Sequence, residues 1–162
     1  MNNIRKLGVM KSYINFQLLD DIKDKCSEGD GAAKELVASF AQRKAFESSD
    51  ILACISCKET TLALLSGMIF FLRSNSLPPI ESDRYQWWEH ISEFENPADD
   101  IRVTAINIIR NAIAHWDEGD SGVEFLKSEG ATQFSSRIGK FKITDNGLHL
   151  LIMQMYGYSQ SA

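Results

Sequence analysis

The chain lacks the cysteine framework of a stapled secreted scaffold. Its three cysteines are an odd number without regular spacing, which fits a reducing, cytoplasmic setting. A basic excess is missing too. Seventeen Lys and Arg face 22 Asp and Glu, for a net charge of -5, so the single chain cannot present a broad phosphate-binding surface. A narrow basic cleft, or one assembled by two copies, stays compatible with that balance. No long uncharged apolar run is present either. The most apolar stretch, Ile51 to Leu72, is interrupted by Lys58 and Glu59. Each of these charges would cost roughly 2.5–3.5 kcal/mol at a bilayer centre, so a buried helix is expected and a membrane partner is not. The opening MNNIRKLGVMKSYINF is mixed and amphipathic, without the apolar core and cleavage site of a secretory leader. There is no glycine-rich phosphate loop, no G-x-S-x-G segment, no convincing carboxylate pair and no internal repeat.

What is present is helical periodicity. With 162 residues, 44% of them apolar, the chain is long enough for one domain over 1–162 with a real core. Ile4, Leu7, Met10, Ile14, Leu18 and Ile22 recur at steps of three and four, predicting a helix over 3–26 that Gly29 and Gly31 end. A second helix is expected over 32–47 and a third, long and central, over about 50–73, with Ser48, Ser49 and Asp50 where a cap belongs. Pro78-Pro79 marks a loop over 75–83. A short helix over 84–94 carries Trp87 and Trp88. Asn96 as cap, Pro97 at the first helical position, and Asp99 and Asp100 at the positive helix end predict a helix over 97–115. Asp117 to Asp120 turn the chain, and 122–129 reads as a further helical turn or two. Phe141 and Ile143 alternate with Lys142 and Thr144 before Asp145-Asn146-Gly147, the pattern of a small hairpin reaching Leu150. Its second arm can alternatively run on as a helix through Met155. The expected fold is therefore all-α: a bundle of about five helices with a small C-terminal hairpin or extension.

The most informative stretch is Arg110-Asn111-Ala112-Ile113-Ala114-His115, where three polar side chains interrupt an apolar helix. Buried polar groups cost free energy unless paired, so they call for a reason. At about 100° per residue, Asn111 and His115 share one helix edge, and an amide one turn below an imidazole can fix its tautomer. Arg110 lies roughly 140° away from His115. One chain therefore holds an incomplete site unless the helix frays near His115 or the Arg side chain wraps round, and a homodimer in which one subunit's Arg meets the other's His would complete it. The apolar face of this helix is also wider than one core contact needs, which suits burial on two sides.

Arg-Asn-x-x-x-His at the end of a long helix resembles the motif of HEPN domains, in which an Arg, often followed by Asn, Asp or His, precedes a His by four to six residues. The resemblance covers 97–120 at motif level and the rest only through helical architecture. It implies a helical bundle that dimerises and a metal-independent endoribonuclease acting on single-stranded RNA, with no cofactor, since RNA carries its own nucleophile. It also implies service as a toxin or phage-defence effector, with an antitoxin protein as a further partner. His115 would act as general base on a ribose 2′-hydroxyl or as acid to the leaving 5′-oxygen. Arg110 would hold the scissile phosphate, and Asn111 would orient His115 or touch phosphate. Other HEPN members are inactive modules that bind a nucleotide or a partner protein. The plain alternative is a helical scaffold with His115 as a C-cap favoured by the dipole.

The remaining candidates have ordinary explanations. Cys54-x-x-Cys57 has no second pair to complete a zinc site and lies in an apolar helix, which suits core packing. Cys26 is incidental. Trp87, Trp88 and His90 could stack on bases, yet two adjacent tryptophans cannot share a helix face, and core or interface packing is expected. Asp117, Glu118 and Asp120 lack the spacing of a calcium loop and read as a solvated turn, with Asp117 available to His115 or Arg110. His149 reads as structural.

Overall fold

The computed structural model describes residues 3–56, 58–71, 84–95 and 100–161. Four helices open the chain: α1 (Asn3–Glu28), α2 (Gly31–Lys44), α3 (Ser48–Ser56) and α4 (Lys58–Phe71). A 3-10 turn at Trp87–His90 leads into β1 (Ile91–Glu95), followed by α5 (Ile101–Ala114). Then come β2 (Gly122–Leu126), a second 3-10 turn at Lys127–Glu129, β3 (Ala131–Ser136), β4 (Gly139–Thr144) and α6 (Asp145–Ser161). The first two helices fall where the periodicity placed them. The long third helix is instead two, α3 and α4. Asn96, Pro97 and Asp99, the expected start of the next helix, and the Pro78-Pro79 loop lie outside the described residues. Among the described residues no single helix is long and apolar enough to cross a membrane.

The all-α expectation is wrong. The described residues build a four-stranded antiparallel sheet of order β1-β4-β3-β2. The predicted helix over 84–94 is a single 3-10 turn and a strand, and the predicted turns over 122–129 are mostly the strand β2. The hairpin exists one step earlier than expected, between β3 and β4, with Arg137 and Ile138 at its tip. Asp145-Asn146-Gly147 opens α6 instead of turning a hairpin. The cause is Thr144, whose Oγ1 accepts a 3.1 Å hydrogen bond from the Gly147 N–H and so caps the helix.

The sheet has one dry face. Thr132, Phe134, Phe141 and Ile143 are buried, with Thr132 opposite Ile143 and Phe134 opposite Phe141. Their neighbours Gln133, Ser135, Lys140 and Lys142 alternate to the other face, the period-2 pattern of a half-covered antiparallel sheet. On that outer face Lys142 Nζ bridges Glu93 (3.0 Å) and Glu129 (3.2 Å). At the hairpin tip Gly139 has φ +153°, and a Cβ there would sit 2.8 Å from the Glu95 carbonyl oxygen. Only glycine lets β4 start this close to the end of β1.

α5 packs on the dry face against β2, β3 and β4, and α4 covers its other side. This explains its unusually wide apolar surface. Ala105, Ile106, Ile108, Ile109 and Ala112 are all buried within one chain, so the second apolar side belongs to the sheet and needs no partner subunit. α1 lies across α4 and α6, and α2 packs on α1 and α3. One contiguous core joins Val9 of α1, Leu65 of α4, Ile109 of α5, Phe141 of β4 and Ile152 of α6.

Candidate active site at the end of helix α5

α5 is fixed at its start by Asp100, whose carboxylate accepts from the backbone N–H of Arg102 (2.9 Å) and Val103 (3.4 Å). The same carboxylate pairs with the Arg102 guanidinium at 3.2 Å, and that guanidinium lies 5.5 Å from the Trp88 ring centre. Burial pushes the Asp100 carboxyl up, but the Arg102 side chain and the two backbone donors outweigh it and hold it below the ordinary carboxylate range.

At the other end His115 is the C-cap. Its φ of -118° and ψ of 33° leave the helix, while its N–H still reaches the Asn111 carbonyl. The chain reverses through Asp117, at φ +66°, a left-handed conformation that aspartate tolerates. Backbone bonds from Glu118 N–H to His115 O (2.9 Å), Ser121 N–H to Glu118 O (3.1 Å) and Asp117 N–H to Ser121 O (3.2 Å) close the turn. The turn folds Glu118 back beside the helix end, where Oε2 stands 2.9 Å from His115 Nδ1. A carboxylate at Nδ1 favours the tautomer that carries its proton there and leaves the Nε2 lone pair outward. The His115 side chain is 56% exposed, so Nε2 is within reach of a ligand from solvent.

Arg110 is exposed and Asn111 half-buried on the last turns of α5. Among the described residues neither side chain makes a hydrogen bond or ion pair. The expected side-chain bond from Asn111 to His115 is thus not formed; the two residues meet through the backbone, and Glu118 takes the orienting place. Sequence reasoning placed Glu118 in a solvated turn and offered Asp117 as the partner. The i,i+3 spacing from His115 to Glu118 was the one available signal. Beside the turn, a shallow cleft of ≈ 230 Å³ is lined by Trp116, Asp117, Asp120, Glu124, Gln133 and Ser135 among others. Its carboxylates repel phosphate, whereas Gln133 and Ser135 offer hydrogen bonds and Trp116 an apolar ring.

The other candidates settle differently. Trp87 is fully buried, and Trp88 is half-buried under Arg102, so neither is an open stacking platform. His90 Nδ1 lies 3.3 Å from Thr144 Oγ1. Cys54 is exposed on α3, contrary to the expected core packing, and Cys57 lies outside the described residues. Cys26 is half-buried on α1. Asp117, Glu118 and Asp120 are exposed, and no group of three metal-ligating side chains occurs among the described residues. His149 stands 5.4 Å from the Phe16 ring at the edge of a second cleft. No family model matches the chain, and neither a curated protein nor a solved structure matches it.

Proposed function

We propose that the protein is a metal-independent endoribonuclease of HEPN type that cleaves single-stranded RNA at the C-terminal end of α5. One observation carries this: His115 stands exposed at the helix end with Nδ1 held 2.9 Å from Glu118, one turn and a half beyond an exposed arginine. His115 Nε2 takes the proton of a ribose 2′-hydroxyl. The 2′-oxygen then attacks the adjacent phosphorus, the bond to the 5′-oxygen breaks, and that oxygen takes the proton back from the His115 imidazolium. The products are a 2′,3′-cyclic phosphate and a 5′-hydroxyl. Glu118 stabilises the imidazolium, as a carboxylate behind a catalytic histidine does. Arg110 binds the non-bridging oxygens where charge builds up, and Asn111 lies beside them as a neutral phosphate or sugar contact.

Among the described residues Arg110 makes no side-chain bond and does not meet the His115–Glu118 pair, so the complete site draws its arginine from a second copy in a homodimer. The nucleophile comes from the substrate, so neither metal nor cofactor is assigned a role. In a cell the activity suits a toxin or phage-defence effector under the control of an antitoxin protein.

The test is cleavage of labelled single-stranded RNA in the presence of a chelator. His115→Ala and Arg110→Ala each abolish cutting, with a loss of about 10²–10⁴-fold for the histidine. Mixing the two inactive variants restores part of it, since a mixed dimer holds one intact site. Substrate with a 2′-deoxy sugar at the cut position resists. If the wild type cuts no RNA, or His115→Ala cuts as well as wild type, the proposal fails. Tight RNA or nucleotide binding without turnover would place the chain among inactive binding modules instead.

A further inference from the structure

α1 has apolar residues on two opposite faces. Val9 and Phe16 are buried in the core of their own chain. Ile4, Leu7, Ile14 and Leu18 lie on the other side of the helix, within an arc of about 80°, and are between 53% and 73% exposed. This stripe runs into a groove of ≈ 560 Å³ between α1, α2 and α3, whose walls include Leu18, Ile22, Leu36, Phe40, Phe46 and Ile51. Among the described residues ten large apolar side chains stand exposed, and seven of them belong to the stripe or the groove. Exposed apolar surface gathered in one place marks an interaction surface, whereas scattered single residues would not. The stripe stands out as a ridge at the start of α1, and the groove lies beside the helix's later turns. Ridge and groove are complementary, yet one chain cannot bring them together. Two chains related by a two-fold axis can, because each then offers its ridge to the other's groove.

Charge selects the same pairing. Residues 3–17, which carry the ridge, include three basic residues and no acidic one, while 18–51, which frame the groove, include eight acidic residues against five basic. Part of the second set is neutralised within the chain, Lys23 by Asp20 and Asp24, and Lys25 by Asp21. Asp50 lines the groove, and Glu35 and Glu47 adjoin Leu36 and Phe46 in the chain. All three are exposed and form no ion pair among the described residues, and Lys6 and Lys11 beside the ridge form none either. Parallel pairing of two α1 helices would set basic against basic and acidic against acidic. Antiparallel pairing sets each basic ridge against an acidic rim. We propose that a second copy of this chain docks antiparallel on α1, so that Ile4 and Leu7 of each copy enter the groove between α1, α2 and α3 of the other. Setting Ile4 opposite Ile22 puts the two-fold axis near residue 13. Ile14 then lies close to the axis, and the two Leu7 residues stand about 18 Å apart along it. The contact is separate from the end of α5, which packs on α4 and the sheet, and it does not depend on RNA cleavage there.

The experiment is disulfide trapping in the full chain with Cys26, Cys54 and Cys57 replaced by serine. A disulfide needs Cα atoms within about 7 Å. Ile14→Cys should therefore link to its own counterpart, and Leu7→Cys should not. Leu7→Cys should instead link to Leu18→Cys when the two proteins are mixed. In sedimentation, Leu7→Asp and Phe40→Asp should each raise the dissociation constant at least about ten-fold, with circular dichroism confirming the fold of every variant. Lys6→Glu with Lys11→Glu should weaken association, and adding Glu47→Lys with Asp50→Lys should restore it. Self-linking of Leu7→Cys marks parallel pairing and overturns the proposal. So does the absence of any link, or a chain that stays monomeric at every concentration, which would leave the groove to another occupant. A dimer indifferent to Leu7→Asp and Phe40→Asp also overturns it, since the copies would then meet elsewhere. Cross-linking as expected in a chain that cuts no RNA defeats the ribonuclease reading alone.

Discussion

Asp100 offers the sharpest test of how α5 is held, because it serves two functions that one substitution separates. As N-cap it satisfies the backbone donors of Arg102 and Val103, and a lost cap costs about 1 kcal/mol. As counter-ion it faces Arg102, whose side chain is 3% exposed. Stripping a buried charge of its partner costs roughly 3–5 kcal/mol at the extreme. Here the Asp100 side chain is 38% exposed and solvent screens the pair, while Arg102 keeps its place over Trp88. About 1 kcal/mol is then a fair share for the pair. Asp100→Ala should therefore lose about 2 kcal/mol, or about 4–8 °C in melting temperature for a chain of this length. Asp100→Asn keeps an oxygen for the cap and should lose only about half of that. The pH dependence has a definite sign. The folded carboxyl titrates below its ordinary range, so its charge stabilises the fold above the unfolded value near 4 and ceases to do so as pH falls through the lower folded value. The gap between wild type and Asp100→Asn should be widest at neutral pH and should close as pH falls through the lower folded value. Urea denaturation across that range measures it. If Asp100→Asn is as harmful as Asp100→Ala at neutral pH, or the gap persists in acid, the division between cap and charge is wrong.

Three further outcomes follow from particular contacts. Glu118→Gln should keep the fold and its melting temperature within about 0.5 kcal/mol, as exposed positions do, yet cut RNA cleavage at least about ten-fold; unchanged cleavage would remove Glu118 from the site. Gly147→Ala would place a Cβ 2.4 Å from His90 Cβ and 2.8 Å from Ile143 Cγ1, so thermal unfolding should show a loss of about 1–3 kcal/mol, and a neutral result would mean that α6 docks differently. Phe141→Ala, in the middle of the dry sheet face between Phe94 and Phe134, should cost about 3–5 kcal/mol by urea titration.

Helices were legible in the sequence where one face carried the signal unbroken. The ladder from Ile4 to Ile22 gave α1 to within two residues at its end, although Ile4, Leu7, Ile14 and Leu18 are themselves exposed and, among the described side chains of that helix, only Val9 and Phe16 are buried. The strands were illegible for local physical reasons. In β1 the pairing register shifts between Ser92 and Glu95, and Glu93 sits at φ +53°. That irregularity spaces Ile91 and Phe94 three apart, so a strand shows a helical interval. β2 is half-buried and short, and its alternation becomes plain only beside β3. At the start of α6, Asp-Asn-Gly is a strong turn signal that Thr144 and the packing of Gly147 against His90 override.

The end of α5 was legible in kind but not in detail, and the difference bears on the chemistry. Arg110, Asn111 and His115 stood out because polar groups cost free energy in an apolar helix. Which group steadies His115 depends on the turn after it, and ideal helix geometry stops applying at a C-cap. There the backbone leaves the helix at His115, and the left-handed Asp117 returns Glu118 to the imidazole. The turn is also anchored beyond itself. Trp116 lies 6.4 Å from Phe125 of β2, and α5 is clamped between the sheet and α4. The His115–Glu118 pair thus sits on a packed floor although both side chains are exposed. Under the proposed function, such support suits a pre-set base, because little ordering remains to be done when substrate arrives. Arg110 has no such partner among the described residues, so under the proposed function it is an arginine and not a base that a second copy would supply.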